Sequence, residues 1–160
     1  MPGISGSPVP PEIFSLVVGA RAGNDSLPLP GGTPIVIIGD MNLVGDSRQL
    51  ATLLGAPGAE GGGVAAGPGP DWDGTALADL LPYHSAAPES YTWMSSERSG
   101  FGPGRLDLVI YTDSVLQSVK SYILCTETMG KEDLAKAGLN RSDSPSLSDH
   151  RPIVADFVIK

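Results

Sequence analysis

The sequence predicts an α/β fold in which one mixed β-sheet carries short helices, and three apolar segments are the basis for it. The first, residues 34–38, is followed by Gly39-Asp40-Met41-Asn42. The second, residues 105–111, has an acid near its start, and the third, residues 153–159, follows Ser148-Asp149-His150. At the first segment a carboxylate and an amide stand at the C-terminal end of a strand, which is where α/β sheets place their chemistry.

The first strand and the helix after it have clear local signals. Residues 35–38 are four consecutive aliphatic residues, a pattern typical of a strand buried on both faces. Further on, Asp46 and Ser47 form a good N-terminal cap for a helix over residues 48–54, and Gly55 is its stop.

The rest of the chain is rich in strands. Strands are predicted at residues 90–95, 105–111, 116–125 and 153–159, and a short helix at residues 131–137 closed by Gly138. Glycine and proline cluster in residues 1–11, 28–34 and 55–70, which are therefore predicted as loops or tails. This pattern is expected for one half of an α/β sandwich.

Chain length and net charge limit the number of domains and the functions that the sequence allows. A chain of 160 residues suits one domain with its own core. The formal net charge of -8 argues against tight, non-specific binding of duplex DNA, which needs lysine and arginine to displace counterions. An acidic chain remains compatible with a site that recruits a divalent cation.

Cysteine usage and hydropathy suggest a compartment. The single cysteine, Cys125, excludes an internal disulfide, and its apolar neighbours predict a small buried side chain rather than a reactive thiol. No apolar run approaches the length of a membrane span, and the first residues lack the basic start and apolar core of a signal peptide. The expectation is a cytoplasmic protein without a membrane span.

Three motifs in this order resemble the endonuclease/exonuclease/phosphatase superfamily, the deoxyribonuclease-like metallophosphodiesterases. They are Gly39-Asp40-Met41-Asn42, Arg105-Leu106-Asp107 and Ser148-Asp149-His150, with Tyr91-Thr92-Trp93 as a weaker fourth. The resemblance covers roughly residues 33–160. It implies half of a four-layer α/β/β/α sandwich over these residues, preceded by a segment, residues 1–32, that is rich in proline and glycine and is partly disordered or a remnant helix or strand.

The resemblance also implies roles for five residues. Asp40 looks like the base that orients or deprotonates the attacking water, and Asn42 like the donor that holds the phosphate. His150 looks like the imidazole that contacts the scissile phosphate, with Asp107 fixing its tautomer and raising its pKa. Asp149 looks like the ligand of a Mg²⁺ or Mn²⁺ ion, to which Asp40 and Asn42 are further candidate ligands.

Each role has a structural alternative. Residues 39–42 could be a plain turn at the end of a strand, and residues 149–150 a cap at the start of one. Asp107 could instead form an ion pair with Arg105 or Arg151 on the surface.

Three residues near the motifs are given ordinary roles. His84 has no motif around it and is predicted as an exposed loop residue. Trp93 is predicted as a core residue rather than a platform for substrate, and Arg98 as a solvated charge of a loop rather than a phosphate contact.

The part of the family pattern that precedes the first motif has no counterpart. In the family, an N-terminal half supplies a metal-ligating Glu, whereas only 39 residues precede Asp40 here. Their two acids are Glu12 and Asp25, and neither has the family's Gln-Glu context. The chain is therefore expected to be the C-terminal half of the domain, with the second sheet supplied by another copy in a homodimer.

The expected activity is metal-dependent hydrolysis of a small phosphodiester or an activated phosphate ester. One alternative is an inactive, truncated half-domain that acts as a self-associating or partner-binding module. Another is a subunit that completes its site with a separately encoded N-terminal half.

Overall fold

A computed structural model describes residues 29–43, 47–56, 69–95 and 100–160. Most of the predicted segment 1–32 lies outside these residues, as do Arg98 and most of the loop at 55–70. The described residues form two compact units. Unit 1 contains those up to Leu80 together with Leu108–Gln117 and Ile159–Lys160, and unit 2 contains those of Leu81–Asp107 and Ser118–Val158.

The secondary structure consists of three short helices and five strands among the described residues. The helices are α1 (Ser47–Leu54), α2 (Lys131–Ala137) and α3 (Asp143–Leu147), and the strands are β1 (Val36–Asp40), β2 (Ala78–Asp79), β3 (Asp107–Tyr111), β4 (Leu116–Ile123) and β5 (Ile153–Ile159). One sheet has the order β1-β3-β2, and a second pairs β4 with β5. Strand β2 runs antiparallel to β3, with Ala78 opposite Tyr111. No helix in the described part of the chain is long and apolar enough to cross a bilayer.

The core of unit 1 forms where α1 covers one face of the first sheet. Leu53 of α1 packs with Leu77 and with Leu108 and Ile110 of β3, and these four side chains are buried. Leu108 and Ile110 are two residues apart on a strand, so they point to the same face. Ile37 of β1 is packed against the same cluster. In the described part of unit 1, the apolar face of α1 thus packs against one face of this sheet.

A buried carboxylate ties the loop before β2 to the turn after β3. Asp71 is fully buried, and it accepts hydrogen bonds from the backbone N–H of Ser114 at 3.0 Å and from the Ser114 hydroxyl. Burial, together with a hydrogen bond and charge repulsion from Asp71, raises the pKa of Asp113. Unit 1 therefore contains a carboxylate pair with a structural role.

Helices α2 and α3 lie in unit 2. Gly138 closes α2 in the left-handed conformation at φ 67°, and its N–H donates back to the helix. The sequence predicted α2 and its glycine stop, and it predicted α1 over residues 48–54; the structure confirms both. Helix α3 was not predicted. It is held by a reciprocal pair of bonds in which Thr126 and Ser144 each donate a backbone N–H to the other's hydroxyl at 3.0 Å.

The predicted single mixed sheet differs from the observed arrangement, since the described strands divide into two sheets. After β3 the chain makes a turn in which Val115 and Leu116 donate back to the carbonyl of Thr112. Strand β4, which follows this turn, pairs with β5 in the second sheet. The second sheet expected from another copy stays a prediction.

The first strand is not buried on both faces, as its aliphatic run predicted. Val36 is 44% exposed and Ile38 is 68% exposed, whereas Ile37 between them packs on the core. The strand lies at the edge of its sheet, and α1 covers only one face of that sheet. Alternate side chains of a strand point to opposite faces, so the other face of β1 is exposed.

The predicted strand at residues 90–95 is replaced by isolated bridges. Trp93 pairs with Gly104 on one side and with His150 on the other, without extending into a ladder. Trp93 therefore lies between the segment that leads to Asp107 and the segment that contains His150, both in unit 2.

Candidate active site

Asp107 and His150 form a hydrogen-bonded pair in unit 2. The Oδ2 atom of Asp107 lies 2.8 Å from Nδ1 of His150. The two side chains are 22% and 32% exposed, so the pair is partly shielded from water and still accessible from one side. The carboxylate accepts a hydrogen bond from the Nδ1–H group, which places the second ring nitrogen, Nε2, on the side away from Asp107.

Backbone bonds to one residue, Thr92, place both partners of this pair. The hydroxyl oxygen of Thr92 accepts the N–H groups of Leu106 at 3.0 Å and of Asp107 at 2.9 Å. The carbonyl oxygen of Thr92 accepts the N–H of Arg151 at 2.6 Å. Asp107 is the first residue of β3, and His150 stands three residues before β5.

Asp149 points its carboxylate to the surface next to this pair. The indole Nε1–H of Trp93 donates to its Oδ2 at 2.9 Å, and its carbonyl oxygen accepts the N–H of Met94 at 3.0 Å. The indole hydrogen bond is the main reason why the pKa of Asp149 is lowered. The carboxylate therefore stays ionised and keeps a defined direction, as a ligand of a cation requires.

An ion pair between Arg151 and Glu127 holds the backbone next to His150. Arg151 is 4% exposed, and its Nη2 and Nε lie 2.7 and 3.1 Å from the same carboxylate oxygen of Glu127. Its Nη1 donates to the carbonyl of Ser148 at 2.9 Å. Because Arg151 is bound in this way and Asp107 binds His150, the alternative pairing of Asp107 with Arg151 does not form.

Asp40 and Asn42 lie in unit 1, where a local turn arranges them. Asp40 is the last residue of β1, and its Oδ1 accepts the N–H of Asn42 at 2.9 Å. Asn42 has a left-handed backbone at φ 47°, which asparagine tolerates better than most residues, and Gly39 has φ 151°, a conformation open to glycine. Both polar side chains are exposed. The turn that sequence analysis kept as an alternative is present, and such geometry occurs at turns and at functional sites alike.

Donor chemistry in the described residues suits Mg²⁺ or Mn²⁺. These ions prefer hard oxygen donors, and Mg²⁺ in enzymes is usually held by one or two carboxylates, water and substrate phosphate. Asp149 offers such an oxygen donor, ionised, exposed and oriented by Trp93. Within the ranges that the structure describes, no group of three or more His, Cys, Asp or Glu side chains is placed to hold a metal ion.

The prediction that His84 is an exposed loop residue is wrong. His84 is 4% exposed, and its Nε2 donates to the carbonyl of Tyr91 at 2.9 Å, with the two rings packed edge to face at 4.2 Å. The other ring nitrogen, Nδ1, is buried with no hydrogen-bond partner among the described residues. Burial and the hydrogen bond to Tyr91 indicate a structural role for His84.

Cys125 is fully buried, as its apolar neighbours in the sequence predicted. Its sulfur lies 3.6 Å from Oε2 of Glu127. Burial, with charge and hydrogen-bond effects of Cys125, raises the pKa of Tyr91 to about 12. The phenol of Tyr91 therefore stays protonated beside the thiol.

Three residues that contribute to this arrangement were not found from the sequence. Trp93 was assigned to the core, and neither Thr92 nor Glu127 was given a role. The only available signal was the motif Tyr91-Thr92-Trp93, which marked the segment without saying what its side chains contact.

A model of the Endonuclease/Exonuclease/phosphatase family matches residues 16–150. No curated protein and no solved structure gives a significant match. The family match spans most of the chain and includes all three motifs. The chain therefore belongs to the endonuclease/exonuclease/phosphatase family.

Proposed function

We propose that this protein is a divalent-cation-dependent phosphoesterase that hydrolyses small phosphodiesters or activated phosphate esters. The family consists in general of hydrolases that act on phosphodiesters or phosphate esters, and its members commonly use divalent cations. The observation that carries the proposal for this chain is the 2.8 Å bond between Asp107 and His150.

The Asp107–His150 pair suits proton transfer and charge stabilisation at a phosphoryl group. The carboxylate holds the imidazole in one tautomer and orientation, and it stabilises the ring when protonated. A protonated His150 directs a hydrogen bond from Nε2 toward an anionic phosphate oxygen or a leaving oxygen. A positioned acid of this kind contributes a rate factor of roughly 10²–10⁴.

Asp149 is the residue that we propose to hold the cation. When bound, Mg²⁺ or Mn²⁺ supplies charge neutralisation on the phosphoryl oxygens and activates water. The protein's own contribution is the indole of Trp93, which occupies Oδ2 of Asp149 and fixes the plane of the carboxylate. Such outer contacts commonly tune the affinity of a metal site.

For Asp40 and Asn42 the proposal rests on the family resemblance. Asp40 is assigned as the base for water, Asn42 as a donor to phosphate, and both as candidate ligands of the cation. Both residues stand at the exposed end of β1, and Asn42 has a left-handed backbone. These features support a functional role, and they are also found in plain turns.

The charge of the chain favours small substrates. With a net charge of -8, the protein has few cations to offer a polyanionic duplex, so a small phosphodiester fits better than DNA.

The direct test is hydrolysis of bis-p-nitrophenyl phosphate by the purified chain with Mn²⁺ or Mg²⁺. Activity should disappear with EDTA and return on adding excess cation. Activity that survives exhaustive chelation would contradict the role of the cation. A folded protein with no hydrolysis under any of these conditions would instead favour the non-catalytic alternative.

That alternative, a self-associating module, is favoured by one observation in unit 1. The outer face of β1 exposes two aliphatic side chains, Val36 and Ile38, which is unfavourable in water. A second copy packed on this face would bury them, in an interface of about 2,000 Å² or more if the dimer is obligate. Light scattering should then give a dimer that Ile38→Glu converts to a monomer. A folded wild-type monomer near 16.5 kDa would exclude it.

A further inference from the structure

We propose that Thr92 is the positioning residue that sets the distance between Asp107 and His150. The kinetic consequence of this proposal rests on the function proposed above, whereas its structural consequence does not. Thr92 is 1% exposed, so its hydroxyl cannot exchange its partners for water without local opening.

The hydroxyl of Thr92 acts on the Asp107 side of the pair. Two consecutive N–H groups, of Leu106 and Asp107, converge on this one oxygen. In a regular strand consecutive N–H groups point in opposite directions, so this convergence is an irregular start to β3. Successive N–H groups in such a nest bind a single oxygen well. The bond to the N–H of Asp107 fixes the backbone from which its carboxylate reaches Nδ1 of His150.

The backbone of Thr92 acts on the His150 side of the pair. Its carbonyl accepts the N–H of Arg151 at 2.6 Å, one residue after His150. Arg151 is itself held by Glu127 and by the carbonyl of Ser148. The two partners of the catalytic pair are thus each tied to Thr92, one through its hydroxyl and one through its carbonyl.

A hydroxyl is needed at this position because only an acceptor can satisfy both N–H groups. Valine has nearly the same shape as threonine but offers no acceptor, so Thr92→Val leaves the two N–H groups of residues 106 and 107 without their bond. Serine keeps the oxygen and loses only a methyl group. The pair of variants Thr92→Val and Thr92→Ser therefore separates the hydrogen bond from the packing.

The chain offers a matched control in unit 1. Thr112 is fully buried, and its hydroxyl accepts the N–H of Ile35 at 3.0 Å. Ile35 stands before β1, at the end opposite to Asp40. Thr112→Val therefore makes the same chemical change to the same kind of bond without touching Asp107 or His150.

The experiment combines two structural measurements with kinetics. In Thr92→Val we expect the amides of Leu106 and Asp107 to exchange hydrogen at least about tenfold faster, and a crystal structure to show a distance between Asp107 and His150 longer than 2.8 Å. The kcat for bis-p-nitrophenyl phosphate should fall by about 10- to 100-fold with KM little changed. Thr92→Ser should stay within about threefold of wild type by all three measures.

The control variant and a double variant show whether Thr92 positions Asp107 or only stabilises the fold. Thr112→Val should lower Tm and speed the exchange of Ile35 while leaving kcat unchanged. Adding Thr92→Val to Asp107→Asn should reduce kcat no further, because the hydroxyl acts through Asp107.

Several outcomes would overturn the proposal. An unchanged distance and kcat in Thr92→Val, with a loss of Tm like that of Thr112→Val, would make Thr92 a structural residue only. Additive losses in the double variant would show that it does not act through Asp107. If the wild type hydrolyses nothing, the exchange rates and the distance still test the positioning, and only the proposed function fails.

Discussion

The two groups of motif residues are arranged in opposite ways. In unit 1, the bond from Asn42 to Asp40 joins residues two positions apart. In unit 2, the bond between Asp107 and His150 spans 43 positions, and that between Trp93 and Asp149 spans 56. The first arrangement needs only a local turn, whereas the second exists only when the unit is folded. Short sequence motifs of one chain thus depend on the fold to very different degrees.

The largest effect is expected from the long-range pair. His150→Ala should lower kcat by roughly 100-fold or more with little loss of Tm, because the side chain is partly exposed and its proposed role is chemical. Steady-state kinetics and thermal unfolding measure the two effects. Asp107→Asn, which keeps the shape but removes the charge, should lie between this variant and wild type. A loss below about threefold in His150→Ala would remove the pair from the reaction.

The variant Asp40→Asn tests whether Asp40 acts as a base or only forms the local turn. Asparagine keeps the oxygen that accepts the N–H of Asn42, so the turn should persist, but it lacks the charge of a base. If Asp40 is the base, kcat should again fall by about 100-fold, with an unchanged Tm. Full activity would mean that the strand ends in an ordinary turn, and that the chemistry depends on unit 2.

A smaller effect is expected for Trp93→Phe, which removes the donor to Asp149. The Mn²⁺ concentration for half-maximal activity should rise about tenfold, since the carboxylate loses its orientation. The pKa of Asp149, measured by carbon NMR, should rise toward its ordinary value of 3.8.

The lowered pKa of Asp149 determines how the stability of the fold should change with pH. A carboxyl group whose pKa is lowered by folding stabilises the native state above its unfolded pKa, and this contribution is lost as the pH falls through the native value. Trp93→Phe should therefore unfold at a slightly higher pH than wild type during acid titration. An unchanged pKa of Asp149 in this variant would show that the indole bond does not form in solution.

The smallest effect is expected for the carboxylate pair of unit 1, Asp71 and Asp113. These two residues are far apart in the sequence, as in the pair of unit 2, but their role is structural. Folding raises the pKa of Asp113 above 3.8, so stability from this group is greatest at low pH and is lost as the pH rises through the raised value. Asp113→Asn cannot ionise and should raise Tm by about 2 °C at pH 7. The gain should vanish near pH 4, as unfolding scans across this range would show, with kcat unaltered. A gain that does not change with pH would contradict this cause.

Sequence analysis predicted elements whose signals are local. Helix α2 was found with its glycine stop at Gly138, and β5 was found over residues 153–159, because capping residues and apolar runs act within a few positions. The first strand was placed two residues too early and its burial was overestimated. Four aliphatic residues indicate a strand, but they do not say how many of its faces another element will cover.

Side-chain partners were predicted less well than elements. His84 was expected to be exposed because no motif surrounds it, yet packing against Tyr91 buries it. Helix α3 was missed because its stability depends on the bonds between Thr126 and Ser144, which are 18 positions apart.

The sequence by itself determined the family, the order of the motifs, and which residue types are available for chemistry. It could do so because these properties are written in short, contiguous segments. Only the tertiary structure decided that Asp107 bonds His150 while Arg151 bonds Glu127, and that the hydroxyl of Thr92 and the indole of Trp93 orient the two acids. A hydrogen bond forms only within about 3 Å, and residues far apart in sequence reach that distance through packing of the whole unit.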